Sequence, residues 1–149
     1  MSKFVLTCSN MDISTQVAAL LNQGGQLALR QTSSGILYNT TTYMIELDGE
    51  RVIAVAGLDQ KDKLRTEMKH LCVHRDYRKK GLGLKFLKKG IQLAKTNIVY
   101  GLVRSDNKVN IRNNIRAGFE PYAKYWGRNC HIIVFVARRN NVKAAKRSN

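Results

Sequence analysis

Apolar residues recur along the chain at two periods, and the switches between them mark its elements. Lys3–Thr7 reads as a short strand. Ile13, Val17, Leu20 and Leu21 fall on one face of a helix that Asp12 would cap and that runs through Gln23 to end at Gly24-Gly25. A second helix is expected around Gln26–Thr32. Leu37–Leu47 and Arg51–Leu58 are rich in Thr, Val, Ile and Tyr. They flank Asp48-Gly49-Glu50, which has the composition of a tight turn, so an antiparallel hairpin is expected. Arg65–His74 alternates and predicts a further strand. A basic, Gly-bearing loop, Arg75–Gly83, then opens a helix to about Thr96, with Leu84, Leu87, Ile91 and Ala94 facing inward and Lys85, Lys88 and Lys89 outward. Ile98–Val103 predicts a strand, Lys108–Ala117 a short polar helix, and Tyr122–Trp126 with His131–Ala137 a closing strand pair. Strands alternating with helices predict an α/β or α+β domain on a mixed sheet, spanning residues 1–137 and followed by a flexible basic tail, 138–149.

The chain has 149 residues, the size of one ordinary domain with one core. With 44% hydrophobic residues it is not a disordered basic tail. No run approaches the roughly 18 apolar residues of a membrane span. The start, MSKFVLTCSN, lacks a basic signal-peptide region, so a soluble, cytoplasmic protein with no membrane partner is expected. Cys8, Cys72 and Cys130 stand far apart, with neither CxxC nor Cys/His ligand spacing; they are read as reduced thiols, and no metal site is expected.

Charge changes the picture more. Lys and Arg number 26 against 10 Asp and Glu, a net of +16. Residues 1–60 hold three basic and five acidic residues, so residues 61–149 carry a net of +18. A one-sided field of this size attracts anionic ligands and speeds their association. The alternative reading is that it serves solubility alone.

The most informative stretch is Leu71-Cys72-Val73-His74-Arg75-Asp76-Tyr77-Arg78-Lys79-Lys80-Gly81-Leu82-Gly83-Leu84. An apolar strand ends, a basic loop follows and a helix begins. Gly81 and Gly83 let backbone amides approach a ligand without a Cβ in the way, and a helix N-terminus adds partial positive charge, which suits a phosphate or pyrophosphate. The spacing is neither the GxGxxG of a dinucleotide fold nor the GK[ST] of a P-loop.

Arg-x-x-Gly-x-Gly after a strand ending in Val resembles motif A of the GNAT family of N-acetyltransferases. A second resemblance lies downstream, where Asn107, Arg116, Gly118 and Phe119 fit in register the family's pattern Asn-x-x-Ala-x-x-Leu-Tyr-x-Lys-x-Gly-Phe, with Asn110, Asn113 and Asn114 at its other fixed positions. The resemblance covers about residues 40–136. The resemblance implies a mixed sheet of about six to seven strands with about four helices and strands that splay at the site of acetyl-CoA, the co-substrate. It implies that the backbone of Leu71, Cys72 and Val73 pairs with the pantetheine amides. Arg78, Lys79, Lys80, Gly81, Leu82, Gly83 and Leu84 would cradle the pyrophosphate, with Asn107 on the pantetheine arm. Glu67 lies where some members carry a Glu general base, which would deprotonate the amine through water. His70 is the alternative base. Cys72 reads as a small core residue rather than a nucleophile.

One departure matters. Where many members place a Tyr that protonates the departing thiolate, this chain has Asn114, which could hydrogen-bond the sulfur but not act as an acid. Tyr122 or Tyr125 would have to substitute, or the thiolate would leave unassisted. Tyr122, Tyr125 and Trp126, near Lys124 and Arg128, could stack on bases, but as strand aromatics they are expected to pack into the core. The resemblance implies direct transfer of acetyl to an amine. The basic second half favours an acceptor that is anionic or associated with nucleic acid: an aminoacyl-tRNA, or an acidic or nucleic-acid-bound protein. The rivals are a protein Lys or N-terminal acetyltransferase acting without RNA, and a scaffold that has lost catalysis and binds nucleic acid or protein. A homodimer is one of the open oligomeric states.

Overall fold

The computed structural model describes residues 2–5, 11–24, 27 and 29–139. Seven strands and four α-helices alternate among these residues: β1 (Ser2–Val5), α1 (Met11–Gly24), α2 (Ser33–Tyr38), β2 (Thr42–Asp48), β3 (Arg51–Gln60), β4 (Arg65–Val73), α3 (Leu82–Leu93), β5 (Ile98–Arg104), α4 (Lys108–Ala117), β6 (Glu120–Trp126) and β7 (His131–Arg138). A 3-10 turn, Arg75–Tyr77, sits between β4 and α3. The mixed sheet and flanking helices are those the motifs implied. The chain groups into two compact units, Met1–Asp59 with His70–Leu82, and Gln60–Lys69 with Gly83–Asn149, and β4 runs from the second into the first.

In the first unit β1 pairs antiparallel with β2, and β2 with β3. The β2–β3 connection turns at Gly49, whose φ of +60 suits glycine. The apolar stripe of α1 is as the period predicted: Val17, Ala18, Leu20 and Leu21 are buried against Tyr43 and Ile45 of β2 and Val52 and Val55 of β3. Each large side chain buried this way contributes about 1.5–3 kcal/mol. Asp12 lies inside the first turn rather than at the cap, where its carboxylate accepts from Gln16 Nε2 at 3.3 Å and faces the positive end of the helix dipole.

The first unit departs from the sequence reading around α2. Of residues 26–32, those described are not helical; the helix starts at Ser33 because Thr32 caps it, its Oγ1 accepting from the Gly35 amide at 3.0 Å. Leu37 and Tyr38 end that helix, so the strand expected from Leu37 begins at Thr42. Cys8, Gly25 and the basic tail beyond Arg139 lie outside the described residues.

In the second unit the start of β4 pairs parallel with β5, β5 antiparallel with β7, and β7 antiparallel with β6 at the end of the order. The β4–β5 ladder runs from Arg65↔Ile98 to Glu67↔Tyr100 only, though both strands continue. Thr66 and Thr96, each 2% exposed, share a 2.7 Å hydroxyl hydrogen bond, and Thr96 also donates to Ile98 O, which ties the turn after α3 to the start of β4. The inward face of α3 is Phe86, Leu87, Gly90 and Ile91. Leu84, expected there, is only half-buried, because the bulkier Phe86 takes the deepest place at 0% exposure. Lys85 and Lys89 are likewise half-buried rather than outward, and only Lys88 is exposed.

The end of α4 explains the Gly118-Phe119 pair. Gly118 has φ +105; its amide donates to Ile115 O and that of Phe119 to Asn114 O at 2.9 Å, a Schellman cap that drops the Phe119 ring into the core at 1% exposure. Phe119→Ala is expected to cost about 3–5 kcal/mol, and Gly118→Ala about 1–2 kcal/mol because L side chains resist the left-handed region. Urea denaturation measures both; a Gly118→Ala protein as stable as the parent would refute the cap.

Candidate functional site

The features that bear on chemistry start on β4. His70 has φ +59, rare for a residue with a side chain and rarer inside a strand, so the alternation expected through His74 is broken at this point. Its ring lies nearly parallel to that of Tyr43, 16° between planes, with Tyr43 Oη 3.0 Å from Nδ1. Asn39 Nδ2 donates to the same Oη at 3.1 Å. The tautomer sets the direction of this bond: either the phenol donates to Nδ1 and Nε2 carries the ring proton, or Nδ1–H donates to the phenol oxygen. Tyr43, 1% exposed, was not singled out from the sequence, where it reads as one more β-prone residue.

Glu67, three residues earlier on β4, is part-buried and pairs with Lys61 Nζ at 3.1 Å. Leu71, Cys72 and Val73 are half-buried. The Cys72 thiol is pushed up by burial, a shift the Arg78 charge partly offsets, and it points to Leu20 O at 3.6 Å beside the apolar cluster of the first unit. A thiol kept protonated in this way is no nucleophile.

The loop that follows is held by an aromatic residue. Tyr77 donates from Oη to Asp48 Oδ2 at 2.6 Å, which raises its phenol above the usual range, and its ring lies beneath two cations, Arg51 at 6.0 Å and Lys80 Nζ at 5.3 Å. Arg78 turns back, Nε donating to Val73 O at 3.1 Å. Lys79 at φ +62 and Gly81 at φ +80 then bracket Lys80 in left-handed conformations, directly ahead of α3. Such alternation turns successive N–H groups toward a common concave side, a backbone nest that suits an anion. The residues from Tyr77 to Ser105 include no carboxylate. A Cβ on Gly83 would come within 3.2 Å of Asn113 Nδ2. Among the described residues no three His, Cys, Asp or Glu side chains are grouped to hold a metal.

On the second unit Arg104 grips Asp106 through Nε and Nη2 at 3.1 and 2.9 Å, which holds the Asp106 carboxyl below its usual range. Asn107 follows as the cap of α4, its Oδ1 accepting from the Asn110 amide. Asn114 is 2% exposed, and Nδ2 donates to both Asn110 O and Asn110 Oδ1, so its two N–H groups are engaged inside the helix. The sulfur contact considered for this amide therefore lacks a donor. Tyr122, Tyr125 and Trp126 are 74%, 47% and 68% exposed on β6, so the expectation that they pack into the core is overturned. β6 is the outermost strand, and all seven of its residues are exposed.

Solved structures of similar fold include yncA, a putative acetyltransferase of Salmonella typhimurium described with its cofactor acetyl-CoA, at 16% identity and a TM-score of 0.78 over 93% of this chain and 94% of that one. An N-acetyltransferase from Staphylococcus aureus Mu50 is similar at 14% identity and a TM-score of 0.79, covering 95% and 99%. Ard1 from Thermoplasma volcanium is similar at 15% identity and 0.73, covering 92% and 97%. At these identities the likeness is one of fold. No curated protein matches the sequence. Residues 20–119 match the acetyltransferase (GNAT) family, a span that holds both glycine motifs. The chain belongs to the GNAT family of acetyltransferases.

Proposed function

We propose that this acetyltransferase moves the acetyl group of acetyl-CoA directly to an amine whose carrier is anionic or associated with nucleic acid, an aminoacyl-tRNA or a protein. The observation that carries the cofactor assignment is the nest at Lys79–Gly81 ahead of α3, in a stretch with no carboxylate. A pyrophosphate needs backbone N–H donors, nearby cations and space, and Arg78, Lys79, Lys80, Gly81, Leu82, Gly83 and Leu84 offer all three. Leu71–Val73 lie beyond the point where β4 pairs with β5, so their backbone groups suit the pantetheine amides, and Asn107 Nδ2 suits a carbonyl of that arm. Bound there, acetyl-CoA would supply an activated thioester that a neutral amine can attack.

Glu67 takes the proton from the incoming ammonium, through water, beside the Lys61 ammonium with which it pairs. A second reading makes His70 the base, which requires the tautomer in which Nδ1–H donates to Tyr43 Oη and Nε2 is left unprotonated to take the proton. The reading uses no acid at position 114 and none at Tyr122, which is 74% exposed on β6. The thiolate departs unassisted, as its modest basicity permits. The acceptor assignment is supported by charge: coenzyme A neutralises only part of the +16.

Gly83→Glu is expected to abolish acetyl-CoA binding measured by calorimetry, since it sets a carboxylate in the phosphate loop. Its Cβ meets only the end of the Asn113 side chain, which can give way, so the fold survives. Unchanged affinity would sink the loop assignment. Glu67→Gln is expected to lower turnover at neutral pH by about 10²–10⁴-fold with acetyl-CoA affinity near the parent's; if His70→Gln has the larger effect instead, His70 is the base. Incubation of the enzyme with labelled acetyl-CoA and fractionated lysate should place the label in a ribonuclease-sensitive fraction. Labelling of polypeptide that ribonuclease leaves untouched would assign a protein acceptor, and no transfer to any fraction would assign a non-catalytic scaffold.

A further inference from the structure

We infer that the β6–β7 hairpin is a stacking platform for single-stranded RNA. This deepens the acceptor reading above by naming the anionic partner and rests on that reading only for what the RNA carries. The observation is the exposure of Tyr122, Tyr125 and Trp126 on one seven-residue strand that buries none of its residues. Large aromatic rings left in water forgo the burial that usually stabilises them, which marks a contact surface. Trp126 is opposite His131 in the β6–β7 register, and the two rings meet at 83° with centroids 4.9 Å apart, so the indole is held in place while still 68% exposed. Strand alternation puts Lys124 on the same side as Trp126 and Tyr125 on the other, so the platform centres on Trp126 with Lys124, and Arg128 follows in the turn.

The chemistry of the occupant follows from what this surface offers and refuses. Strand addition is blocked: Pro121 has no N–H, and the register shifts at Tyr122, so the outer edge is a poor template for a peptide or for β6 of a second copy. Charge excludes a second copy on its own account. The second unit carries nineteen basic and four acidic residues, and Glu120 is the one acid from Asn107 to the end of the chain. Lys108, Arg112 and Arg116, all exposed and spaced by four along α4, lead through the Gly118 cap straight into β6. An acidic peptide would answer the charge but not the rings, and a duplex hides its base faces in its own stack. Single-stranded RNA presents phosphates and open π-faces together.

Trp126 is the sole tryptophan, so its emission reads the platform directly. Titration with a 12-residue oligouridylate or oligoadenylate is expected to quench that emission saturably, and more weakly as salt rises. By anisotropy of the labelled oligomer, Trp126→Ala should weaken binding by about 5- to 150-fold, and Trp126→Phe should retain most of it. Lys124→Ala should reduce the salt slope by about one. These side chains are exposed, and the variants should keep the parent's thermal midpoint and acetyl-CoA affinity. Absent quenching, parental affinity in Trp126→Ala, equal quenching by duplex RNA or polyglutamate, or a dimer in sedimentation that shields Trp126 would each overturn the platform. With acetyl-CoA binding intact, any of these results leaves the acetyltransferase reading standing; loss of acetyl-CoA binding with RNA binding retained does the reverse.

Discussion

β4 pairs with β5 for three residues and then continues alone on that edge, and much of the chemistry depends on this short ladder. A half-buried strand that has left its neighbour presents an extended backbone edge, and an extended chain of amides is matched to such an edge. Thr66 sits inside the paired segment, and its hydroxyl bond to Thr96 fixes where pairing starts. His70, beyond the ladder, takes a φ of +59 that a fully paired strand would not tolerate. The same strand thus holds both candidate bases and leads into the phosphate loop.

That loop is set by anchors outside its glycines. Tyr77 ties it to Asp48 at the β2–β3 turn and lies under Arg51 and Lys80, while Arg78 folds back on Val73 O. The carboxylates beside these cations are Asp48, which accepts from Tyr77, and Asp76, which is 3.8 Å from Arg75 and His74. Each anchor joins residues of the first unit, so the loop is ordered once that unit has folded.

Much of this was legible in the sequence because the signals were local. Gly81, Gly83 and the basic run marked the loop, and the 3.6 period marked α1 and α3. Gly118-Phe119 read as a motif before its cap explained it. The failures were also physical. Ser33-Ser34-Gly35 looks like a loop until Thr32 is recognised as a cap, and Leu37 and Tyr38 suit a strand by propensity though the helix holds them. The buried face of α3 turned on the size of Phe86, which periodicity does not weigh. Tyr43 and Tyr77 act through partners 27 and 29 residues away, which no window captures. Tyr122, Tyr125 and Trp126 were expected in the core because alternation reveals a strand but not whether it lies in the middle of a sheet or, as β6 does, at the rim.

Lys79 is the non-glycine residue of the loop wound into left-handed space, at a cost of about 1–2 kcal/mol. That cost is met when the protein folds, by the contacts of Tyr77 and Arg78 on either side of the loop's start, and not when a ligand arrives. On the proposed reading, a phosphate meeting this loop would have no chain to order, so capture would be governed by encounter and by the field of the neighbouring cations. Residence time is then a matter of how many N–H groups the anion must release on leaving, a quantity the winding at Lys79 and Gly81 sets in advance.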